Sequence, residues 1–234
     1  MSTSKQLHCH RCYIGQQLNK MIYITINTVA EFFCFVIAFL FLCRDKDPAW
    51  LVFIPYLLLT CIVEIAGITM HHSHKTNIPL YTVFVLAECF IISFFFYRLY
   101  RPYGAKISML MLWFAIFLGM YLTELYLNHF NDFVSVTASV MSVIFVITGL
   151  YYYYLKLNDD NFERLLFYPS FWWVNGTLFF YFGGTVCNLF FEFLIKYPSA
   201  SYSYSVRYLI YGISNVILYS CWSYAFICRH LQMK

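Results

Sequence analysis

Charge is what this sequence has least of. Charged residues make up 11% of its 234 positions, against about 25% in an ordinary soluble domain. A chain that is also 62% hydrophobic cannot clothe itself in groups that water solvates, which excludes a soluble globular domain and leaves a lipid-facing surface. Lysine and arginine are missing from the depths of every long apolar run. The net charge of +4 therefore sits at the edges of those runs, where membrane topology places basic residues, and gives no ground for nucleic-acid binding. The alternation of a membrane β-strand is absent. So are a phosphate-cradling glycine loop and an H-E-x-x-H motif. The last apolar run, Tyr208 to Ile227, has no lysine, which excludes a retinal Schiff base there. No transporter-like internal repeat is visible. No short apolar core with a small-residue cleavage site precedes the first run, so no signal peptide is expected.

What is present is a set of seven apolar runs, at 22–43, 50–70, 80–97, 107–126, 133–155, 171–195 and 207–228. Each has about the 20 residues that a helix needs to cross the hydrocarbon at its 1.5 Å rise. The expected fold is an all-α polytopic membrane bundle of seven transmembrane helices spanning 22–228, with a polar N-terminal tail at 1–21 and a short C-terminal tail at 229–234. Short connections force antiparallel neighbours. Trp50, Trp172 and Trp173 fall at run starts, where indole suits the membrane interface. Pro48, Pro79, Pro169 and Pro198 lie outside the runs or at their first turns, whereas Pro55 lies inside the second and is expected to kink it. Gly183-Gly184 is read as a place of close helix packing. Ser135, Ala138, Ser139 and Ser142 give the fifth run a small-residue face for a neighbour. Cys34, Cys43, Cys61, Cys89, Cys187, Cys221 and Cys228 lie in or at the ends of runs, where cysteine serves as a small apolar filler.

With seven spans the two chain ends lie on opposite faces. The N face carries Lys5, Arg11, Lys20, Lys75, Lys196 and Arg207. The C face carries Arg44, Lys46, Arg98, Arg101, Lys106, Lys156, Arg164, Arg229 and Lys234. The richer C face is expected in the cytoplasm, with the N-terminus outside.

The acids are distributed unevenly. Glu31, Glu64, Glu88, Glu124 and Glu192 fall inside runs, and threading the helices up and down places all of them in the half of the membrane nearer the N face. Glu64 and Glu88 flank a short hairpin at similar depth, about 9–12 Å from that face. A charged side chain inside a bilayer costs a few kcal/mol or more, so these residues mark either a hydrogen-bonded packing network or a ligand or proton-linked pocket. Asn27, Asn188 and Asn215 share the same half. The candidate pocket residues are Glu31, Glu64, Glu88, Asn188, Glu192 and Asn215. His71, His72 and His74, in the loop between the second and third runs, join His8, Cys9, His10 and Cys12 of the tail as a weaker metal constellation. Their spacing matches no zinc-finger pattern, and no cofactor is expected.

Three stretches carry a resemblance. "NIPLYTVFVLAECFIISFFFYRLY" (Asn77 to Tyr100), "FYPSFWWVNGTLFFYFGG" (Phe167 to Gly184) and "SNVILYSCWSYAF" (Ser214 to Phe226) resemble small bacterial seven-helix membrane proteins of the Bacteroidetes type. In these a Leu-Tyr step, a glutamate in the third span and a closing aromatic-basic cluster recur. Related spans look like the sensor portions of bacterial histidine kinases, so the resemblance implies sensing in a bacterial inner membrane. No kinase follows here, and signalling would require a separate cytoplasmic partner. The sequence thus leaves two readings. One is a receptor-like or regulatory protein with a glutamate-lined pocket. The other is a membrane enzyme or proton/cation carrier that uses the glutamates as relay or metal ligands. No residue is assigned a catalytic role.

Overall fold

The computed structural model describes residues 25–128, 132–158, 165–190 and 206–233, without the side chains of His71, Leu165, Val206, Arg207 and Tyr208. Among these residues the chain is helical, with no strand. Helix α1 (Ile26–Leu42) starts at Thr25, whose Oγ1 accepts the Thr28 N–H at 3.2 Å. Asp47 Oδ1 accepts the Ala49 N–H at 3.0 Å, and Pro48 takes the first position of the one-turn helix α2 (Pro48–Leu51). Both residues suit a helix start. Helix α3 (Phe53–His72) follows after the single residue Val52. The expected disturbance from Pro55 falls here, because Pro55 has no N–H to offer the Leu51 carbonyl. Then come α4 (Ile78–Tyr100), α5 (Ile107–Leu127), α6 (Ser135–Leu157), α7 (Pro169–Leu189) and α8 (Val206–Gln232).

The helices close into a ring. α1 packs on α3 and α8, α8 on α7, α7 on α6, and α6 on α5 and α4, while α4 also meets α3 and α5. Five segments are long and apolar enough to cross a membrane, Pro48–Met70, Ile78–Tyr103, Ile107–Leu127, Ser135–Leu157 and Leu209–Gln232. α1 is apolar over 17 described residues. α7 lies between α6 and α8 with Trp173, Val174, Gly176, Thr177, Tyr181, Gly184 and Cys187 buried, so it tolerates Asn175 and Asn188 inside the bundle. α5 buries only Phe117 and Tyr121 and turns most of its surface outward. The fold is an all-α membrane bundle, as the composition requires.

Boundaries shift at the end of the chain. The sixth run is helical to Leu189, with residues 191–205 outside the described set. The last helix runs to Gln232, so Arg229 and His230 belong to α8 and not to a tail. Their partners explain this. Arg229 Nε donates to Asp45 Oδ2 at 2.7 Å and its Nη2 to Asp45 Oδ1 at 3.1 Å. His230 Nδ1 lies 3.2 Å from the Phe41 carbonyl. Arg98 Nη2, at the end of α4, donates to Asp47 Oδ1 at 3.1 Å. The C face is thus clasped by the α1–α2 loop. Trp50 and Trp173 lie near helix starts, as expected, but face inward, 5% and 0% exposed. Depth along a helix does not fix rotation about it. Trp172 stays nearer the rim, its Nε1 donating to the Leu166 carbonyl at 2.8 Å.

Toward the C face the centre of the bundle is filled by aromatic rings, with a separate cavity of about 240 Å³ to one side, between α4, α5 and α6. Trp173 stacks on Trp222 at 5.6 Å and 12°, Phe95 meets Trp173 at 4.4 Å, and Phe53 meets Phe95 at 4.9 Å and Trp222 at 5.3 Å. Such pairs contribute about 0.5–1.5 kcal/mol each beyond their burial. Close approach of α7 and α8 makes the cluster possible. A Cβ on Gly176 would stand 2.8 Å from Cys221 Cβ and 3.0 Å from the Leu218 carbonyl, and one on Gly183 would collide with Ser214 Oγ. The expected packing role of the Gly183-Gly184 pair is met at Gly183, and α7 runs unbroken through both.

Two measurements follow from this packing. Gly176→Ala is expected to destabilise the bundle by about 1–3 kcal/mol, read as a lower melting temperature in detergent, whereas an unchanged melt would contradict the close approach. Asp45, with a side chain 1% exposed, should cost about 3 kcal/mol when replaced by Asn, because Arg229 is left unpaired. Burial raises the Asp45 carboxyl, but the Arg229 guanidinium and the N–H groups of Asp47 and Lys46 hold it below its ordinary range. A carboxyl depressed in the folded state stabilises the fold above its unfolded pKa and loses that contribution as pH falls through the folded value. The difference in melting temperature between the parent and Asp45→Asn should be full above about pH 4 and shrink below it.

Candidate functional site: a glutamate-lined cavity

Above the aromatic cluster, in the half toward the N face, the bundle is hollow. A cavity of about 550 Å³ lies between α1, α3, α4, α7 and α8. Its walls follow from helical spacing. α3 contributes Tyr56, Thr60, Val63 and Glu64; α4 contributes Tyr81, Val85 and Glu88; α8 contributes Tyr211, Asn215, Leu218, Tyr219 and Trp222. Steps of three and four residues put each set on one helix face. Trp222 ends the α8 stripe and joins the cavity to the aromatic cluster.

Three of the expected glutamates meet here, in different situations. Glu64 Oε2 accepts the Tyr81 hydroxyl at 3.3 Å, and Gly67 leaves the room that the Tyr81 hydroxyl occupies. Glu88 Oε1 accepts the Tyr181 hydroxyl at 2.7 Å. The two acids that flank the hairpin therefore share a cavity but each bonds its own tyrosine. Glu31 is 5% exposed. Its electrostatic neighbours are Glu64 and the Tyr219 hydroxyl, yet its Oε2 has no hydrogen-bond partner. No lysine, arginine or histidine lines the cavity among the described residues.

A second cavity of about 190 Å³ shares Val85, Glu88, Phe133, Phe180, Tyr181 and Tyr211 with the first. Asn188 lies on it and donates from Nδ2 to Ser139 Oγ at 2.9 Å. The small-residue face of α6 thus serves α7 through Ser139 and this cavity through Ser135, Ala138 and Ser142. Asn215 faces the larger cavity. Glu192 lies outside the described residues. Glu124 takes no part. It accepts the N–H groups of Val136 and Thr137 at 2.9 and 2.7 Å and the Thr137 hydroxyl at 2.6 Å, so it caps the start of α6, whose N–H groups have no partner within that helix.

The loop histidines stand apart from the cavity. His72 and His74 are exposed, and the side chain of His71 lies outside the described set, as do His8, Cys9, His10 and Cys12. Among the described residues no three His, Cys, Asp or Glu side chains converge to hold a metal. His74 has a backbone task instead. Its φ is +55°, and the Lys75 N–H reaches the Met70 carbonyl at 2.9 Å. This is a left-handed closure of α3, a position that glycine usually fills.

Sequence reasoning found the acids and missed the tyrosines. Tyr81 and Tyr181 hold Glu64 and Glu88, and Tyr56, Tyr211 and Tyr219 also line the cavity. They are hidden among 22 tyrosines. The available signal was periodicity, since Tyr81 is one heptad before Glu88 and Tyr211, Asn215 and Tyr219 step by four. No protein-family model matches the chain, and no curated protein or solved structure is significantly similar to it.

His74→Gly should relieve the left-handed strain of a side chain at the end of α3. The entropy of the unfolded chain offsets part of the gain, leaving a net stabilisation of up to about 1 kcal/mol. A melting temperature at or above that of the parent is expected, and a clear drop would show that the imidazole has a structural partner.

Proposed function

We propose that the chain is a receptor-like membrane protein that admits a polar ligand to the Glu31–Glu64–Glu88 cavity and reports its presence at the opposite face to a separate partner. The observation that carries this reading is the cavity itself. A volume of about 550 Å³ lies within the 300–1,000 Å³ of small-molecule sites, and it holds a buried carboxyl oxygen without a partner. Excess Lys and Arg on the C face support placing that face in the cytoplasm, which opens the cavity half to the exterior. The resemblance read from Asn77–Tyr100, Phe167–Gly184 and Ser214–Phe226 is the ground for proposing a bacterial inner membrane. A contiguous run of side chains supports the link between faces. Trp222, on the cavity, touches Phe53, which meets Trp50 at 6.3 Å, and the Arg229 guanidinium lies 5.7 Å from the Trp50 ring.

A carrier would need polar groups continuing through the second half. There the aromatic cluster is packed, and the amide Asn175 is engaged by the Tyr153 hydroxyl at 3.5 Å. This weighs toward a receptor and against a through path.

Glu64→Gln and Glu88→Gln test the reading. Glutamine keeps an acceptor for each tyrosine, so both variants should fold, with melting temperatures near that of the parent. Small polar amines and amides that raise the parent's melting temperature should lose that effect in the variants. If both variants unfold in detergent, the glutamates serve packing alone and the receptor reading falls.

A further inference from the structure

We propose that the cavity binds a small organic ammonium ion, with its cationic head at Glu31 and its apolar part against the rings of Tyr56, Phe84, Tyr219 and Trp222. This rests on the reading of the cavity as a ligand site and names the class of ligand. The first observation is the inequality among the three acids. Each of the three acids has a tyrosine hydroxyl beside it: Tyr81 for Glu64, Tyr181 for Glu88 and Tyr219 for Glu31. Among the three, Glu31, 5% exposed, is the one whose second oxygen, Oε2, is fully buried and unpartnered. An unmatched polar atom away from water is costly, and a bound cation supplies its match.

The second observation is what the wall lacks. No basic side chain lines the cavity among the described residues, so no internal counter-ion competes for Glu31. An anion would face three carboxyl groups. A purely apolar guest would leave Oε2 as it is.

The third is the character of the remaining wall. Tyr56 and Phe84 stack at 6.1 Å and 12°, and Tyr219 meets Trp222 edge-on at 6.3 Å and 87°. Aromatic faces attract ammonium groups through the ring quadrupole and also accept alkyl substituents. A bare divalent metal would instead need several converging oxygen ligands, and the described acids do not converge in this way. An alkylated cation fits a wall with one unused carboxyl oxygen and many rings.

The test uses the full chain, purified in detergent, with choline and butylammonium as probes. Each is compared with a neutral isostere, 3,3-dimethylbutanol for choline and butanol for butylammonium. Binding is read by calorimetry and by quenching of tryptophan fluorescence, since Trp222 lies on the wall. The cations are expected to bind at least about tenfold more tightly than their isosteres. Glu31→Gln should erase that preference and leave alcohol binding unchanged. The isostere comparison needs no variant, so it decides even if Glu31→Gln does not fold. If alcohols bind as tightly as the cations, or if folded Glu31→Gln keeps the preference, the ammonium assignment is overturned while the ligand site stands. If neither cations nor alcohols bind, the assignment falls and so does the reading of the cavity as a receptor site.

Discussion

Hydrocarbon offers no partner to a polar group, and this constraint orders the whole bundle. Most of the described acids can be followed to a match, and Asp132 is exposed. Asp45 and Asp47 leave the bilayer core and bind Arg229 and Arg98 at the C face. Glu124 turns to the orphan N–H groups at the start of α6. Glu64 and Glu88 take tyrosine hydroxyls. Glu31 keeps a fully buried oxygen, Oε2, without a hydrogen-bond partner, and it stands on the wall of the cavity of about 550 Å³. Whether the surrounding helices satisfy the group thus separates Asp45, Asp47 and Glu124, which serve the fold, from Glu31 in the candidate site.

The same constraint divides the centre of the bundle, between α1, α3, α4, α7 and α8, into a filled half and a hollow half. Toward the C face, Phe53, Phe95, Trp173 and Trp222 exclude water by ring-on-ring packing, and glycines of α7 let α8 come close enough to build it. Toward the N face, the stripes of α3, α4 and α8 change from aromatic carbon to hydroxyl, amide and carboxyl. Trp222 belongs to both halves. Its ring borders the cavity, while its Nε1 donates to the Trp173 carbonyl at 3.2 Å and to Thr177 Oγ1 at 3.1 Å. A displacement of this ring by a ligand would be felt first in the aromatic cluster and then at Trp50 and the Asp45–Arg229 pair. Contiguity provides the route; energetic coupling along it is a separate property that must be measured.

Much of this was legible in the sequence. Run lengths located all the long helices to within a few residues, because apolarity in a bilayer leaves the chain little choice of structure. Threading also placed Glu31, Glu64, Glu88 and Asn215 in one half, and they do share a cavity. Rotation was not legible. Trp50 and Trp173 fall near helix starts but point into the core, and whether Glu64 and Glu88 bonded each other depended on tyrosines from α4 and α7. Helix ends held by tertiary pairing were also hidden. The polar sequence at Arg229-His230 reads as a tail until Asp45 and Phe41 are seen to hold it.

Hydroxyl-radical footprinting of the detergent-solubilised protein, resolved by mass spectrometry, tests the division of the bundle most directly. Water in the hollow half should expose Tyr81, Tyr211 and Tyr219 to modification, while Phe53, Phe95 and Trp173 stay protected. Equal protection of both groups, or modification of Trp173 alongside Tyr219, would contradict a bundle that is open in one half and sealed in the other.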